Sequence, residues 1–426
     1  MAVIKPFSAL RFTEKAGHIQ ELCCPPYDII SEEQRQQFLK TNPNNVIRLE
    51  LPKDGEEPYQ TAGETLKQWI SEGIVELDGA ESIYIYEEAF EVLGKKYFFK
   101  GFISRVKLEE FSKGIILPHE QTLSKAKTDR FNLMCTTSCN FSQIYSLYID
   151  ELGETPKLLD EMTKSLPTNE FCDADGVTHR LWICTDVEKI CKLSCQFNDR
   201  KLYIADGHHR YETGINYRNH MRKTTGAKEG DDCDYIMMML VDMQNDGLVV
   251  FPTHRIIKNI DNFDSENLIK KCQEYFELEN YPNKDALISR LEIRYNQGKK
   301  SFGYFDGKKY IMLTLKMDTD DVPQLKYLDP SLRTLDVSVL HTLILENLLG
   351  IDKENMANQV NLKYTRDAQE AVDSVNNGSA NCCFIINPTR ISEIADVAAA
   401  GEKMPQKSTY FYPKLITGLV MNKIKK

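Results

Sequence analysis

The sequence predicts a mixed α/β protein, and three observations lead there. Runs of strand length, either alternating or wholly apolar, are interleaved along the chain with amphipathic runs at helical spacing. With 426 residues, 42% hydrophobic and 27% charged, the chain is long enough for two or three domains with ordinary cores. The stretch from Leu202 to Gly214 reads as a short buried strand, a tight turn at Asp206-Gly207 and a helix entered at His209.

Residues 1–80 form an N-terminal α/β segment. Two prolines hold Cys24-Pro-Pro-Tyr-Asp28 extended. Ser31 caps a helix, with Gln34 as the reciprocal half of a capping box, and Asn42-Pro43 ends it. Val46 to Leu51 alternates apolar and polar residues, which predicts a half-buried strand. Tyr59 to Gly73 predicts an amphipathic helix with Leu66, Trp69 and Ile70 on one side. Tyr27, Asp28 and Arg48 sit on these rigid frames, suited equally to lining a pocket or to structural duty.

Residues 81–257 form the core. Aromatic-rich strands at 82–88 and 96–103 flank a hairpin turn at 92–96, and further strands are expected near 140–149, 179–184 and 235–242. Helices are expected near 158–166 and 186–197. The Asp206-Gly207 turn thus follows strand and helix in βαβ-like order, where ligands gather at strand C-terminal ends. Residues 258–330 predict a small α+β insertion, with two helices and two strands around an Asp306-Gly307 turn. Residues 331–426 predict a C-terminal α/β segment that completes the site. It comprises a helix from Leu335 stopped at Gly350, a buried strand from Cys382, a helix from Ile391 and an irregular loop from Met404 to Lys414. His341 lies on the apolar stripe of the first helix and reads as a core residue.

A formal net charge of -10 argues against a general nucleic-acid or anionic-membrane binder. No apolar run approaches a membrane span, and Met1-Ala-Val-Ile-Lys-Pro-Phe7 lacks secretory architecture, so the cytoplasm is the expected location. The 12 cysteines include no paired C-x-x-C motif and read as reduced thiols, with Cys135 and Cys139 as an alternative metal pair.

Candidate site residues fall into four clusters. In the first, Gly207 admits a close ligand, and His208, His209 and Arg210 add donors at the positive end of a helix, which suits a phosphate. In the second, Pro118-His119-Glu120-Gln121-Thr122 precedes Lys125, Lys127 and Arg130, the combination of base and charge neutralisation that phosphoryl transfer uses. In the third, Pro252-Thr253 delivers His254 and Arg255 to a strand end, toward the cavity expected at Arg210. In the fourth, Lys407, Ser408 and Thr409 suit phosphate oxygens, with Tyr410 and Tyr412 placed to stack on a flat base.

As a set, Cys24-Pro-Pro-Tyr-Asp-Ile-Ile30, Pro118-His-Glu-Gln-Thr122, Ala205-Asp-Gly-His-His-Arg-Tyr-Glu-Thr213, Pro252-Thr-His-Arg255 and the Met404–Lys414 loop resemble domain-of-unknown-function family 1015 (DUF1015), nearly end to end. Locally, Asp206 to Arg210 is similar to the phosphate-binding turn of the ParB/sulfiredoxin-like fold, whose members include nucleotide-hydrolysing partition proteins, sulfiredoxins and a free-serine kinase. That resemblance implies a phosphate-binding core with additional α+β subdomains, and it implies that Gly207, His208, His209 and Arg210 bind phosphate. Sulfiredoxin chemistry needs a cysteine adjoining the turn, and the nearest, Cys195 and Cys233, do not adjoin it.

The leading expectation is a cytoplasmic, kinase-like small-molecule phosphotransferase using ATP or ADP. In it His208, His209 and Arg210 hold phosphates, with His254, Arg255, Ser408 and Thr409 on the same nucleotide. Asp206 or Glu120 acts as base or holds Mg²⁺, His119 joins the catalytic set, and Lys407 and Arg130 neutralise developing charge. A metal-dependent hydrolase or nuclease built on His119, Asp206, His208, His209 and His254 is the second reading, and a non-catalytic sensor of a phosphorylated ligand the third. The expected partners are a small-molecule substrate and a nucleotide, without nucleic acid or membrane, and a homodimer stays open.

Overall fold

The aromatic runs at 82–88 and 96–103 become the long antiparallel hairpin at the centre of the larger sheet. The structure, a computed structural model, describes every residue except 93, 121–123, 406 and 426, and the side chains of 124–126 are likewise outside the description. The expectations for Gln121, Thr122 and the Lys125 side chain therefore lie outside the described residues.

The chain forms two compact units. The first comprises residues 1–118, 122–249 and 413–426, the second 119–121 and 250–412. In the first, nine described strands form one mixed sheet: β1 (Ile4–Lys5), β2 (Ile83–Val92), β3 (Lys95–Lys107), β4 (Ile116–Leu117), β5 (Ile144–Tyr148), β6 (Asn169–Cys172), β7 (Thr178–Cys184), β8 (Leu202–Asp206) and β9 (Tyr235–Asp242). Their order is β4-β8-β5-β9-β3-β2-β7-β6, with β1 on β3. β8 runs parallel to β4, β9 runs parallel to β5, and the other pairs are antiparallel. β9 is wholly buried between β5 and β3, which is why its run of Ile236, three methionines, Leu240 and Val241 shows no alternation.

Two local expectations are corrected here. β7 and β8 are consecutive strands joined by the helix Val187–Gln196, but β5, β9, β3 and β2 lie between them, so they do not form a βαβ unit. Val46 to Leu51 is not a strand, since Ile47–Glu50 is a helical turn. Asn45 starts that turn, its Oδ1 accepting from the Ile47 N–H at 2.9 Å while its Nδ2 donates to the carbonyls of Glu21 and Cys23. A single turn buries Ile47, Leu49 and Glu50 together, and alternation over six residues cannot distinguish that from a strand. The capping box of Ser31 and Gln34 forms as expected.

In the second unit, β10 (His254–Ile257), β11 (Phe276–Tyr281), β12 (Ser301–Phe305), β13 (Tyr310–Leu315), β14 (Leu362–Thr365) and β15 (Cys382–Ile385) make an antiparallel sheet in the order β11-β13-β12-β15-β10-β14. The stretch 258–330 is thus not a separate insertion, because its strands hydrogen-bond into a sheet completed by residues on both sides of it. The four stretches 1–80, 81–257, 258–330 and 331–426 are redistributed over two units. Among the described residues, no helix is long and apolar enough to cross a membrane.

A buried ionic cluster joins β2, β6 and β7. His179 Nε2 lies 3.0 Å from Asp173 Oδ2, and Nδ1 lies 2.6 Å from the Tyr86 hydroxyl, which donates to Glu88 Oε1. Glu88 is fully buried, its Oε2 has no hydrogen-bond partner among the described residues, and its Oε1 lies 3.5 Å from His179 Nδ1. Burial alone would lower the His179 pKa, but Asp173 and Glu88 outweigh it and raise the pKa from 6.5 to about 9. The stabilisation is therefore complete below pH 6.5 and is lost as pH rises through about 9. Linkage bounds this contribution at roughly 3 kcal/mol. The unfolding midpoint of the wild type should fall across that window, and the His179→Gln midpoint should not; parallel pH profiles would refute the charged imidazole.

Candidate functional site

β8 is a fully buried strand until Ala205, where its register with β5 shifts between Ile204 and Asp206. Such an irregularity turns a side chain out of the sheet, and here the side chain is Asp206. Gly207 follows with φ +93° and leads into the helix His208–Thr225. This is the strand, turn and helix read from the sequence, with the helix starting one residue earlier. The N-cap residue, Gly207, supplies no side-chain cap, and the helix begins at His208.

Arg210 folds back over Gly207. A Cβ on Gly207 would lie 2.9 Å from Arg210 Nη2, so both the positive φ and the close approach require glycine. Arg210 Nη2 donates to Asp206 Oδ2 at 2.8 Å and Nη1 to the Gln143 carbonyl at 2.5 Å. Lys414 Nζ donates to Asp206 Oδ1 at 2.5 Å. Burial would raise the Asp206 pKa, but Lys414 and Arg210 outweigh it and hold the carboxyl well below the usual range. Asp206 is thus a permanent anion with both oxygens engaged by cations, which corrects its expected roles as base and as Mg²⁺ ligand. Arg210 is a clip within the turn rather than an open guanidinium. His208 is buried and His209 half-buried at the helix start.

Beside Arg210 lies a cavity of about 40 Å³, room for a few waters or one small oxyanion. Glu50, Arg130, Ser142 and Arg210 line it. Arg130 is buried, donates to the Glu50 carbonyl at 2.7 Å and pairs with Asp129 at 2.6 Å, and its guanidinium lies over the Tyr27 ring at 4.2 Å. Ser142 Oγ donates to Glu50 Oε1 at 2.9 Å. Burial raises the Glu50 pKa, opposed by Arg130, Arg210 and the Ser142 hydrogen bond. Tyr27, Arg130 and Arg210, all singled out in the sequence, therefore converge in one unit. Lys127 does not join them, as it pairs with Glu212 at 2.7 Å.

The remaining expected residues belong to the second unit. His119 Nε2 is 3.1 Å from Thr409 Oγ1, and the Lys407 N–H donates to Glu120 Oε1 at 3.4 Å, so the His119-Glu120 and Lys407–Thr409 motifs do meet. Their chemistry is turned inward. Ser408 Oγ donates to the Pro405 carbonyl, Tyr412 packs on Phe251 at 4.9 Å, and Arg366 lies over Tyr410 at 4.1 Å. His254 is buried and its Nδ1 accepts from the Ile386 N–H at 3.2 Å; burial and the adjacent Arg255 push its pKa down to about 4. Arg255 is fully buried, and burial lowers its pKa to about 10. His254 is therefore a neutral core imidazole rather than a phosphate cation. Glu120 and Asp206, the alternative candidates for base or Mg²⁺ ligand, belong to different units. Among the described residues no group of three or more His, Cys, Asp or Glu is placed to hold a metal. All 12 cysteines are free thiols.

Sequence reasoning missed Glu50, Ser142 and Lys414. Glu50 lies in an alternating run that reads as a strand, and nothing in the Met404–Lys414 loop marks the contact of Lys414 with Asp206.

The model of a family described as proteins of unknown function, DUF1015, matches residues 4–338. The chain belongs to the DUF1015 family. No curated protein matches it. Among solved structures, this DUF1015 chain is similar to a free serine kinase in complex with AMP at 14% identity, covering 73% of this chain and 89% of that one with a TM-score of 0.37. It is similar to C-terminally truncated SbnI from Staphylococcus aureus at 10% identity, with 75% and 87% covered and a TM-score of 0.37. A conserved hypothetical protein from Pyrococcus furiosus matches at 15% identity, with 70% and 87% covered and a TM-score of 0.33.

The contact between Gly207 and Arg210 is testable. Gly207→Ala should destabilise the protein by about 1–3 kcal/mol in urea unfolding. Combining it with Arg210→Ala should cost about 1 kcal/mol less than the sum of the two single changes, because removing the guanidinium makes room for the methyl group. Strict additivity would refute the contact.

Proposed function

We propose that the Gly207 turn binds the phosphate of a nucleotide and that the protein transfers a phosphoryl group from it to a small-molecule acceptor. The observation that carries this reading is the start of an 18-residue helix behind a glycine at positive φ and beside Arg210 and Lys414, with Arg130 on the adjoining cavity. Helix N-terminal amides and fixed cations are the usual partners of phosphate oxygens. Asp206 holds two of those cations in place, and the helix amides supply the donors that the clipped Arg210 does not.

Transfer requires a group to take the proton of the attacking hydroxyl. Glu50 suits it better than Asp206 or Glu120, because its carboxyl lines the cavity beside Arg210 and burial raises its pKa. Ser142 orients the carboxylate, and Arg130 offsets charge developing on the moving phosphoryl group. The hydroxyl proton passes to Glu50, the acceptor oxygen bonds to phosphorus, and the bond to the nucleotide leaving group breaks. With both Asp206 oxygens on cations, no step is assigned to Mg²⁺ there. A formal charge of -10 supports a small acceptor over nucleic acid.

Calorimetric titration with ADP and ATP tests the binding step, and phosphorus NMR with a pool of small hydroxyl compounds tests transfer. Lys414→Ala should weaken nucleotide binding about tenfold or more. Glu50→Gln should keep the nucleotide dissociation constant within about threefold while turnover falls about 100-fold or more. No nucleotide binding at millimolar concentration would end the reading, and undiminished turnover in Glu50→Gln would remove Glu50 from it.

A further inference from the structure

The second unit holds a separate cavity of about 200 Å³, lined by polar groups that none of the chemistry above uses. The segment expected as one helix from Leu335 is α-helical over Asp336–Val339 and continues as a π-helix over Leu340–Glu346. π-Helical turns are rare and recur at functional sites. This one carries His341, Thr342 and Glu346 to the cavity.

His341 is 4% exposed and is oriented from behind by Arg255. Arg255 Nη2 lies 3.2 Å from His341 Nε2 and Nε lies 3.3 Å from it. A guanidinium only donates, so Nε2 is the acceptor and the imidazole carries its proton on Nδ1. Burial and Arg255 hold the His341 pKa well below its usual value, so the ring is neutral. Among the described residues Nδ1 has no partner, and the ring lines the cavity. The Tyr364 hydroxyl, on another lining residue, is buried and also lacks a partner.

The local charge is out of balance. Among the described residues the contacts of Arg255 are the Thr253 and Lys407 carbonyls, the neutral His341 ring and the face of Tyr364 at 5.0 Å, and none is an anion. The cavity lining adds Lys353 and Lys403 against Glu346, and Glu120 acts on Tyr364. Leu332, Met356 and Met404 form an apolar wall. An apolar cavity of about 150 Å³ already admits benzene, so this volume suffices for a ring or short chain bearing one charged group.

We propose that this cavity binds a small organic carboxylate, with its oxygens accepting from His341 Nδ1 and Tyr364 Oη and its carbon body against Leu332, Met356 and Met404. Two unpartnered donors on lining residues match the two oxygens of a carboxylate, whereas a phosphate would leave oxygens unpaired beside an apolar wall. The site stands independently of the nucleotide reading.

The test is calorimetric titration of the full chain with butyrate, hexanoate, benzoate and phenylacetate, each against its neutral amide, and with inorganic phosphate. At least one carboxylate should bind one-to-one and about tenfold or more tighter than its amide. Tyr364→Phe removes only a hydroxyl that has no partner in the free protein, so its unfolding midpoint should match the wild type while carboxylate affinity falls about fivefold or more. Binding by no carboxylate, equal binding of an amide, tighter saturation by phosphate, or wild-type affinity in Tyr364→Phe would each overturn the proposal.

Discussion

The Asp206 carboxylate, held between Arg210 and Lys414, is the interaction on which the larger unit's candidate site depends. It fixes the end of β8, draws Arg210 back across Gly207 and ties residues 413–426 to the turn. A buried carboxylate without these partners would take up a proton and leave two cations uncompensated. With them it remains charged, and its charge holds the positive groups beside the helix start. The turn is therefore an electrostatic clamp as well as a backbone motif.

The site divides its charges by environment. Asp206 is paired twice and held in its ionised form, while Glu50 is buried with weaker compensation and pushed the opposite way. Two carboxyls on either side of one guanidinium thus have different capacities: one is a fixed anion, the other can exchange a proton. The second unit follows another rule. Arg255 has no anionic partner among the described residues, and its field acts through a neutral imidazole. In both units a buried arginine sets the character of its surroundings by what it is, or is not, paired with.

Much of the fold was legible because its signals are local. The Ser31 capping box, the 82–103 hairpin and the apolar run of β9 depend on neighbours in sequence and appear as read. Strand order was not legible, since nothing in the β7–β8 stretch records that four strands from elsewhere in the chain come between them. The site divides in the same way. Gly207 and Arg210 announce a turn, Tyr27 and Arg130 stand out in polar motifs, and Arg130 and Arg210 line one cavity with Tyr27 against Arg130. Glu50 was hidden inside an alternating run, and Lys414 acquires meaning only through a contact across 208 residues. His254 shows the opposite error, because a histidine beside an arginine looks cationic in sequence, while burial makes it neutral.

The return of residues 413–426 to the first unit has a consequence for synthesis. The ribosome makes most of that unit first, then the whole of 250–412, and only afterwards Lys414, Met421 and the Asn422–Lys423 strand that pairs with Cys139–Asn140. Throughout that interval the nascent chain carries an aspartate with half its counter-charge and an open strand partner. The first unit is thus completed only after residues 250–412 have been made, and its unpaired strand edge stays open until then.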